Sequence, residues 1–339
     1  MGPTLRLVSP KPVLRYLSAA EVVAAMPPLP ERLRLAEVTL RGLASGAELP
    51  PKIAVHPREP SSFAHAMPAY LPGAAPDGAG DRLGMKWVLG FPRNHEHGLP
   101  TIHGLVLLND ARTGVPVAIL DAGPVTAERT AAVSGVAIQA FAPPAAGRAP
   151  RAALIGAGVQ GRSHLPVLGH VLPGLELRVF DRDPERAAEL RSIAAETPGV
   201  AAAAVAASAR AAVEDADVVV TAASFGPREE RQVMTNAWLA PEVLVVPVDY
   251  ATYCAAEVAR DAALFLTDHR EQFLANRDAG NFDGYPDPAA MLGEALAAGT
   301  PRPRGRVVVS HLGTGLADVV FGTAILEAAT ARGLGTELR

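Results

Sequence analysis

Three kinds of residue in this chain of 339 residues could do chemistry. The first is a glycine run, Gly156, Gly158 and Gly161 in ALIGAGVQGRSHLP, which fits G-x-G-x-x-G between an apolar run and a helix-compatible segment. In such a turn the first glycine makes the bend, the second lets backbone amides approach a pyrophosphate, and the third lets the helix pack close to the strand. The helix N-terminus then turns the positive end of its dipole toward the phosphates. A purely structural strand-to-helix turn has the same composition, so an acid about 20 residues further on is the feature that discriminates. Asp181 ends the next apolar run, ELRVFD, and would accept from the ribose hydroxyls of NAD while repelling the extra phosphate of NADP. Arg182, beside it, offers a phosphate partner and keeps NADP open.

The second kind is lysine. Only Lys11, Lys52 and Lys86 occur among the 31 Lys plus Arg, and a coding bias toward arginine explains most of that imbalance. A lysine kept in such a background nevertheless suits a place that needs a compact ammonium rather than a planar fork. The third is Asp249, just after the apolar run EVLVVPV, at the C-terminal end of an expected parallel strand where open α/β sheets place their ligands. Capping of a following helix is its structural alternative. His95, Glu96 and His97 are metal-ligating types, but they sit in the polar turn PRNHEHG and are read as a turn, with no metal site.

These groups need elements to hold them. Ser18 and Glu21 have capping-box spacing, and residues 18–45 read as helical segments broken by MPPLPE. From 50 to 125, short apolar runs alternate with Pro/Gly turns, and DARTG joins two of them as a hairpin, which predicts a mostly antiparallel sheet. A helix is expected over 126–142 with Thr126 as its cap, followed by the linker PPAAGRAP. After it, RAALIG, LELRVFD, DVVVTAAS, EVLVVPVD and AALFLTD alternate with helical stretches, which predicts a doubly wound parallel sheet. The segment TGLADVVFGTAILEAATARG reads as an amphipathic helix ending at Gly333.

Composition removes several classes. A net charge of −4 with scattered basic residues gives no footprint for nucleic acid or an anionic membrane. No apolar stretch approaches the roughly 20 residues of a transmembrane helix. A single cysteine, Cys254, and an N-terminus without signal-peptide order point to the cytoplasm.

A second set of motifs carries a resemblance: PPK at 50–52, AMPAY at 66–70, GMKWV at 84–88, GLPT at 98–101 and VTAERTAA at 125–132. With LLNDARTGVPVAILDAG, GAGVQG, FDRDPE, PVDY at 247–250, LGEALAAG at 292–299 and HLGTGLADV at 311–319, the chain resembles the ornithine cyclodeaminase and mu-crystallin family over nearly its whole length. That family includes archaeal-type alanine dehydrogenases and ketimine reductases. The resemblance implies a Rossmann-type domain, residues 131–312, inserted in an α+β substrate-binding and dimerisation domain of residues 1–130 and 313–339. It implies that Lys86 and Arg129 hold a substrate carboxylate, that Lys52 stands where an arginine is usual, and that Asp249 is the acid/base. Thr101 falls near the nicotinamide, while His311 and Leu312 border cofactor and substrate. Val159, Gln160, Ala223 and Ser224 join the glycines, Asp181 and Arg182 as cofactor-binding candidates.

The activity so implied is NAD(P)-dependent oxidoreduction at the α carbon of an L-amino acid or its imine, by a homodimer. The alternatives are ornithine cyclodeamination with catalytic NAD, and a non-catalytic dinucleotide-dependent binding protein. Ornithine-specific members have a glutamate two residues before the M-P pair; His65 stands there in this chain and argues against cyclodeamination, with Asp77 and Asp81 as acids that could compensate.

Overall fold

The computed structural model describes residues 13–59, 61–75, 78–145 and 147–338, so Lys11 and Asp77 lie outside the described residues. The chain opens with β1 (Leu14–Leu17), α1 (Ala19–Ala24) and α2 (Leu29–Ala44). Ser18 and Glu21 form the expected capping box at α1, and the proline turn separates the two helices. There follow β2 (Ile53–Val55), β3 (Phe63–Leu71), β4 (Arg82–Gly90), β5 (Ile102–Asn109) and β6 (Pro116–Asp121). β2 to β6 pair antiparallel in sequence order, and β1 joins β6 in parallel. Alternation along β3 and β4 turns every second side chain toward the helices.

The next helix, α3 (Ala122–Phe141), begins four residues earlier than expected. Asp121, not Thr126, is its cap, with Oδ1 accepting from the Gly123 amide at 2.8 Å. Pro124 fits the first turn because its missing N–H has no intrahelical partner there. Thr126 is thereby moved into the helix body, and α3 runs unbroken through residues 130 and 131.

The parallel half consists of β7 (Arg151–Ile155), α4 (Val159–Val171), β8 (Leu175–Phe180), α5 (Pro184–Ala195), β9 (Val200–Val205), α6 (Ala209–Val213) and β10 (Val218–Thr221). It continues with β11 (Leu244–Pro247), α7 (Ala256–Arg260), β12 (Leu264–Thr267), α8 (Arg270–Asp278), β13 (Ala290–Met291), α9 (Leu292–Ala297) and β14 (Val307–Ser310). The order β13-β12-β14-β11-β10-β7-β8-β9 is parallel throughout. The winding reverses between β7 and β10, which opens a crevice beyond the strand ends where such sheets bind ligands.

The chain then returns to the first sheet. α10 (Gly315–Ala331) packs on β3, β4 and β5 and on α2 and α3. Its residues 315–322 are all buried, so this half of the helix is core on every side and lacks the polar face expected of an amphipathic helix. A last strand, β15 (Thr336–Leu338), was not expected; it pairs antiparallel with β1 and closes that edge.

Candidate active site

Lys86 reaches inward from β4, Arg129 from α3 and Asp318 from α10, and all three are almost fully buried. Asp318 joins the two cations: Oδ2 lies 2.7 Å from Lys86 Nζ and Oδ1 accepts from Arg129 Nε at 3.0 Å. The displaced Thr126 hydroxyl is 3.4 Å from Lys86 Nζ. Burial is the main cause that lowers the Lys86 pKa to about 7, opposed by Asp318 and assisted by the charge of Arg129. Lys52 completes the cationic set from just before β2, donating to the Leu312 carbonyl at 2.8 Å and to the Tyr250 hydroxyl. Its pKa falls to about 8, again through burial first and Arg129 second.

Asp249 follows β11 and is buried, and among the described residues both carboxylate oxygens lack a hydrogen-bond partner of ordinary geometry. Burial raises its pKa to about 6, with the Thr221 hydroxyl and the Ala223 amide nearby pulling the other way. The next two residues, Tyr250 and Ala251, both have left-handed backbone, φ 54° and 58°. That sharp turn carries the Tyr250 ring back across the cleft, where its hydroxyl meets Lys52 and lies 3.3 Å from the Leu312 carbonyl.

The glycine turn lies across the crevice. Gly156 has φ +103°, and a Cβ there would collide with the Ala222 carbonyl; a Cβ at Gly161 would collide with the Gly156 carbonyl. At Gly158, by contrast, a Cβ would meet open space, and this N-cap of α4 has no side-chain cap. Uncapped first-turn amides beside an open glycine form a cradle that fits a pyrophosphate. Val159 is exposed there, and Gln160 Oε1 is buried without a partner among the described residues. Asp181 staples the turn to β8, accepting from Ala157 N at 2.7 Å and from Asp183 N at 2.9 Å. Arg182 is exposed and lies 3.6 Å from Glu230, so a carboxylate already faces it. Ala223 and Ser224 follow β10 on the far lip, between the glycine turn and Asp249.

Residues 311–313 join the two sets. Asp268 Oδ2 takes the amides of Leu312 and Gly313 at 3.1 and 2.8 Å, and Gln272 donates to the Gly313 carbonyl at 3.1 Å. Gly313 has φ +74°, and any Cβ would collide with the Arg129 guanidinium. His311 is buried and tied through Ser134 to His164, whose ring meets the Gln160 carbonyl.

His65 on β3 is near this cluster: burial, then the charges of Lys52, His56 and Lys86, lower its pKa to about 4, and its ring stacks on Phe63. Asp81 is engaged elsewhere, with the Tyr70 hydroxyl at 2.7 Å and Gly73 N at 2.6 Å. Thr101 is exposed before β5, its carbonyl accepting from the Phe91 amide, and is not part of the hydrogen-bonded cluster. In the 92–97 turn Glu96 pairs with Arg93. Sequence reasoning passed over Asp318, Asp268, Tyr250, Ser134, His164 and Thr221. A lone acid inside the apolar run LADVVFG was the available signal for Asp318, because a buried carboxylate needs a cation.

The profile of the ornithine cyclodeaminase/mu-crystallin family matches residues 17–330. The chain is 34% identical to the nodulation efficiency protein NfeD of Rhizobium meliloti, over 95% of this chain and 98% of that one. It is 27% identical to the ketimine reductase mu-crystallin of Mus musculus, over 85% and 87%. The structure of Thermococcus litoralis Delta(1)-pyrroline-2-carboxylate reductase in complex with NADH and L-proline has the same fold, with a TM-score of 0.82 at 24% identity and coverage of 96% of this chain and 100% of that one.

Removing Asp318 leaves Lys86 and Arg129 buried against each other. Asp318→Ala is expected to lose about 3–5 kcal/mol of stability in denaturant unfolding, and a loss below about 1 kcal/mol would show that the clamp is held otherwise. A second expectation concerns pH. In the amine-oxidising direction kcat/KM should rise through about 6 as Asp249 ionises, then fall above about 7 as Lys86 loses its proton. Asp249→Asn should abolish the acid limb; the same limb in that variant assigns it to another group.

Proposed function

Because the chain belongs to the ornithine cyclodeaminase/mu-crystallin family, we propose that its cleft performs NAD-dependent oxidation or reduction at the α carbon of an amino acid or its imine. One observation carries this reading. Residues 311–313 touch Lys52 and Arg129 of the cationic clamp while His311 is linked to Gln160 of the glycine turn, so carboxylate and cofactor positions share one wall.

Lys86, Arg129 and Lys52 hold the substrate carboxylate, with Asp318 keeping the first two aligned. This fixes Cα relative to the cofactor, and the fixed approach is where catalysis by orientation begins. Bound NAD supplies hydride acceptance, and NADH hydride donation. Asp249, near neutrality in its pKa, gives a proton to the imine nitrogen during reduction and takes one from the amine or from water during oxidation. The glycine turn with Val159, Gln160, Ala223 and Ser224 cradles the cofactor, and Asp181 faces its ribose. Asp181, its carboxylate fixed by two amides, is unfavourable to a 2′-phosphate, and Glu230 competes for Arg182; both features favour NAD over NADP.

His65 favours imine or simple amino-acid chemistry over cyclodeamination. With a pKa near 4 it is neutral, and it cannot pair with the second ammonium of ornithine as a glutamate would. The test is incubation with NAD and L-amino acids including ornithine, following NADH and ammonia together, and with NADH and cyclic imines such as Delta(1)-pyrroline-2-carboxylate. NADH accumulating with ammonia, or NADH consumed with the imines, is expected. Ammonia from ornithine without net NADH would replace the reading with a cyclodeaminase, and no turnover at all would leave a binding protein.

Residues 1–130 and 313–339 we take as the substrate-binding and dimerising unit. The outer face of its sheet carries a cross-strand row of Met85, Leu107 and Ile119, with Trp87 and Leu105 in the next row. All five keep solvent exposure, Leu105 43%, whereas the other face is covered by helices. A contiguous apolar sheet face suits a second copy. Leu107→Asp should convert a dimer to a monomer in light scattering; a dimer unaffected by it pairs through another surface.

A further inference from the structure

Three buried side chains and the Gln160 carbonyl form a line that the proposed chemistry leaves unused. His164 Nδ1 is 2.6 Å from the Gln160 carbonyl, His164 Nε2 is 2.8 Å from Ser134 Oγ, and Ser134 Oγ is 2.8 Å from His311 Nε2. Ser134, His164 and His311 are at most 3% exposed. Burial lowers the His164 pKa to about 4 and that of His311 well below its ordinary value, so both rings are neutral at neutral pH.

The hydrogens in this line can be assigned by elimination. A carbonyl only accepts, so His164 Nδ1 carries the hydrogen and its neutral ring has a bare Nε2. Ser134 has one hydrogen, and the bare His164 Nε2 takes it. The Ser134 oxygen then has only lone pairs left for His311, so His311 Nε2 must donate. A neutral His311 with its hydrogen on Nε2 has a bare Nδ1. That Nδ1 is buried and has no partner among the described residues. The reverse direction would set two acceptors against each other at 2.6 Å, at His164 Nδ1 and the Gln160 carbonyl, and is repulsive.

His311 follows β14, whose neighbours are β11, leading to Asp249, and β12, leading to Asp268. Its own next residue holds Lys52 through the Leu312 carbonyl. An unpaired acceptor at that place asks for a donor from outside the chain, because a buried acceptor left bare keeps its full desolvation penalty. We propose that Ser134 and His164 are positioning residues that hold His311 as its Nε2–H tautomer, so that the bare Nδ1 accepts a hydrogen bond from an N–H of the bound ligand. This rests on the cleft being the cofactor and substrate site. Two N–H sources reach such a site: the carboxamide of the nicotinamide and the nitrogen of the amine substrate. The line begins in the first turn of α4, so the turn that receives the pyrophosphate also fixes the acceptor.

The test is long-range 1H–15N correlation on the full chain labelled with 15N-histidine, with His311 assigned by its loss in His311→Asn. The free protein should show His311 with hydrogen on Nε2. Ser134→Ala should give a tautomer mixture, and Ser134→Thr, which keeps the hydroxyl, should restore the single form. A wild-type His311 with hydrogen on Nδ1, or a tautomer indifferent to Ser134→Ala, overturns the positioning role. NADH is then added alone, and next NADH with L-alanine or L-proline. Movement of the Nδ1 resonance with NADH alone identifies the carboxamide as donor, and movement only in the ternary mixtures identifies the amine. A resonance unmoved by NADH alone and by both ternary mixtures, with NADH shown to be bound by its fluorescence, overturns the acceptor role. Failure of NADH to bind sinks the cofactor reading and the acceptor role with it, while the tautomer result stands separately. In Ser134→Ala the affinity for the donating probe should fall about ten-fold and recover in Ser134→Thr.

Discussion

The buried carboxylate of Asp318 is the constraint around which the site is arranged. Two cations from different elements, Lys86 on β4 and Arg129 on α3, are withdrawn from water, which is unfavourable to both and to their proximity. Asp318 makes the arrangement tolerable with one oxygen for each. It can do so only because α10 returns, after the whole parallel half, to lie on the sheet that carries Lys86. The pairing is incomplete: three basic side chains, counting Lys52, share this region with Asp318 and Asp268, and the excess of basic groups suits the carboxylate of the proposed substrate. Such a substrate, arriving beside Lys86, would itself raise the lysine pKa again, so that binding and protonation reinforce each other.

The same economy governs residues 311–313. Asp268 and Gln272 fix this segment from the β12 side, and Gly313 gives up its side chain so that the Arg129 guanidinium can lie against its backbone. The Leu312 carbonyl becomes a hydrogen-bond acceptor for Lys52. Backbone of the parallel half thus serves as part of the wall for cations of the antiparallel half, and a small shift of that segment would alter both. The left-handed pair Tyr250 and Ala251 has a comparable role, since strained backbone is retained where surrounding contacts determine it. Here it directs Asp249 to the crevice and the next side chain to Lys52.

Much of this was legible in the amino-acid order, and the exceptions have identifiable causes. The glycine turn and the alternation of apolar runs are local signals, and the parallel sheet they indicate is the one observed. Asp121 and Thr126 are both good caps, and only the pairing of β6 up to Asp121 decides that the helix begins at the first. β15 is three exposed residues whose partner, β1, lies more than 300 positions earlier, so no local pattern announces it. Lys86, Arg129 and Asp249 could be named from their motifs, but the connection of the first two through Asp318 is a contact between distant elements. Ser134 and His164 were invisible for a related reason: a serine in an alanine-rich helix and a histidine on α4 acquire meaning only when His311 is set beside them.

The electrostatics of Asp249 also bear on direction. Its carboxylate is buried, unpartnered and titrates near 6, so close to neutral pH both protonation states are accessible. A strongly acidic group would serve oxidation as a resident base but would have no proton to give an imine; a group fixed as neutral would do the converse. Poised between these, Asp249 suits the proposed chemistry in either direction. In that proposed chemistry the direction of turnover follows from the ratio of reduced to oxidised cofactor and from the supply of imine or amine, not from the acid itself. Under the proposed function, selectivity among substrates lies instead with groups such as His65, which, neutral and stacked on Phe63, offers no countercharge for a second ammonium.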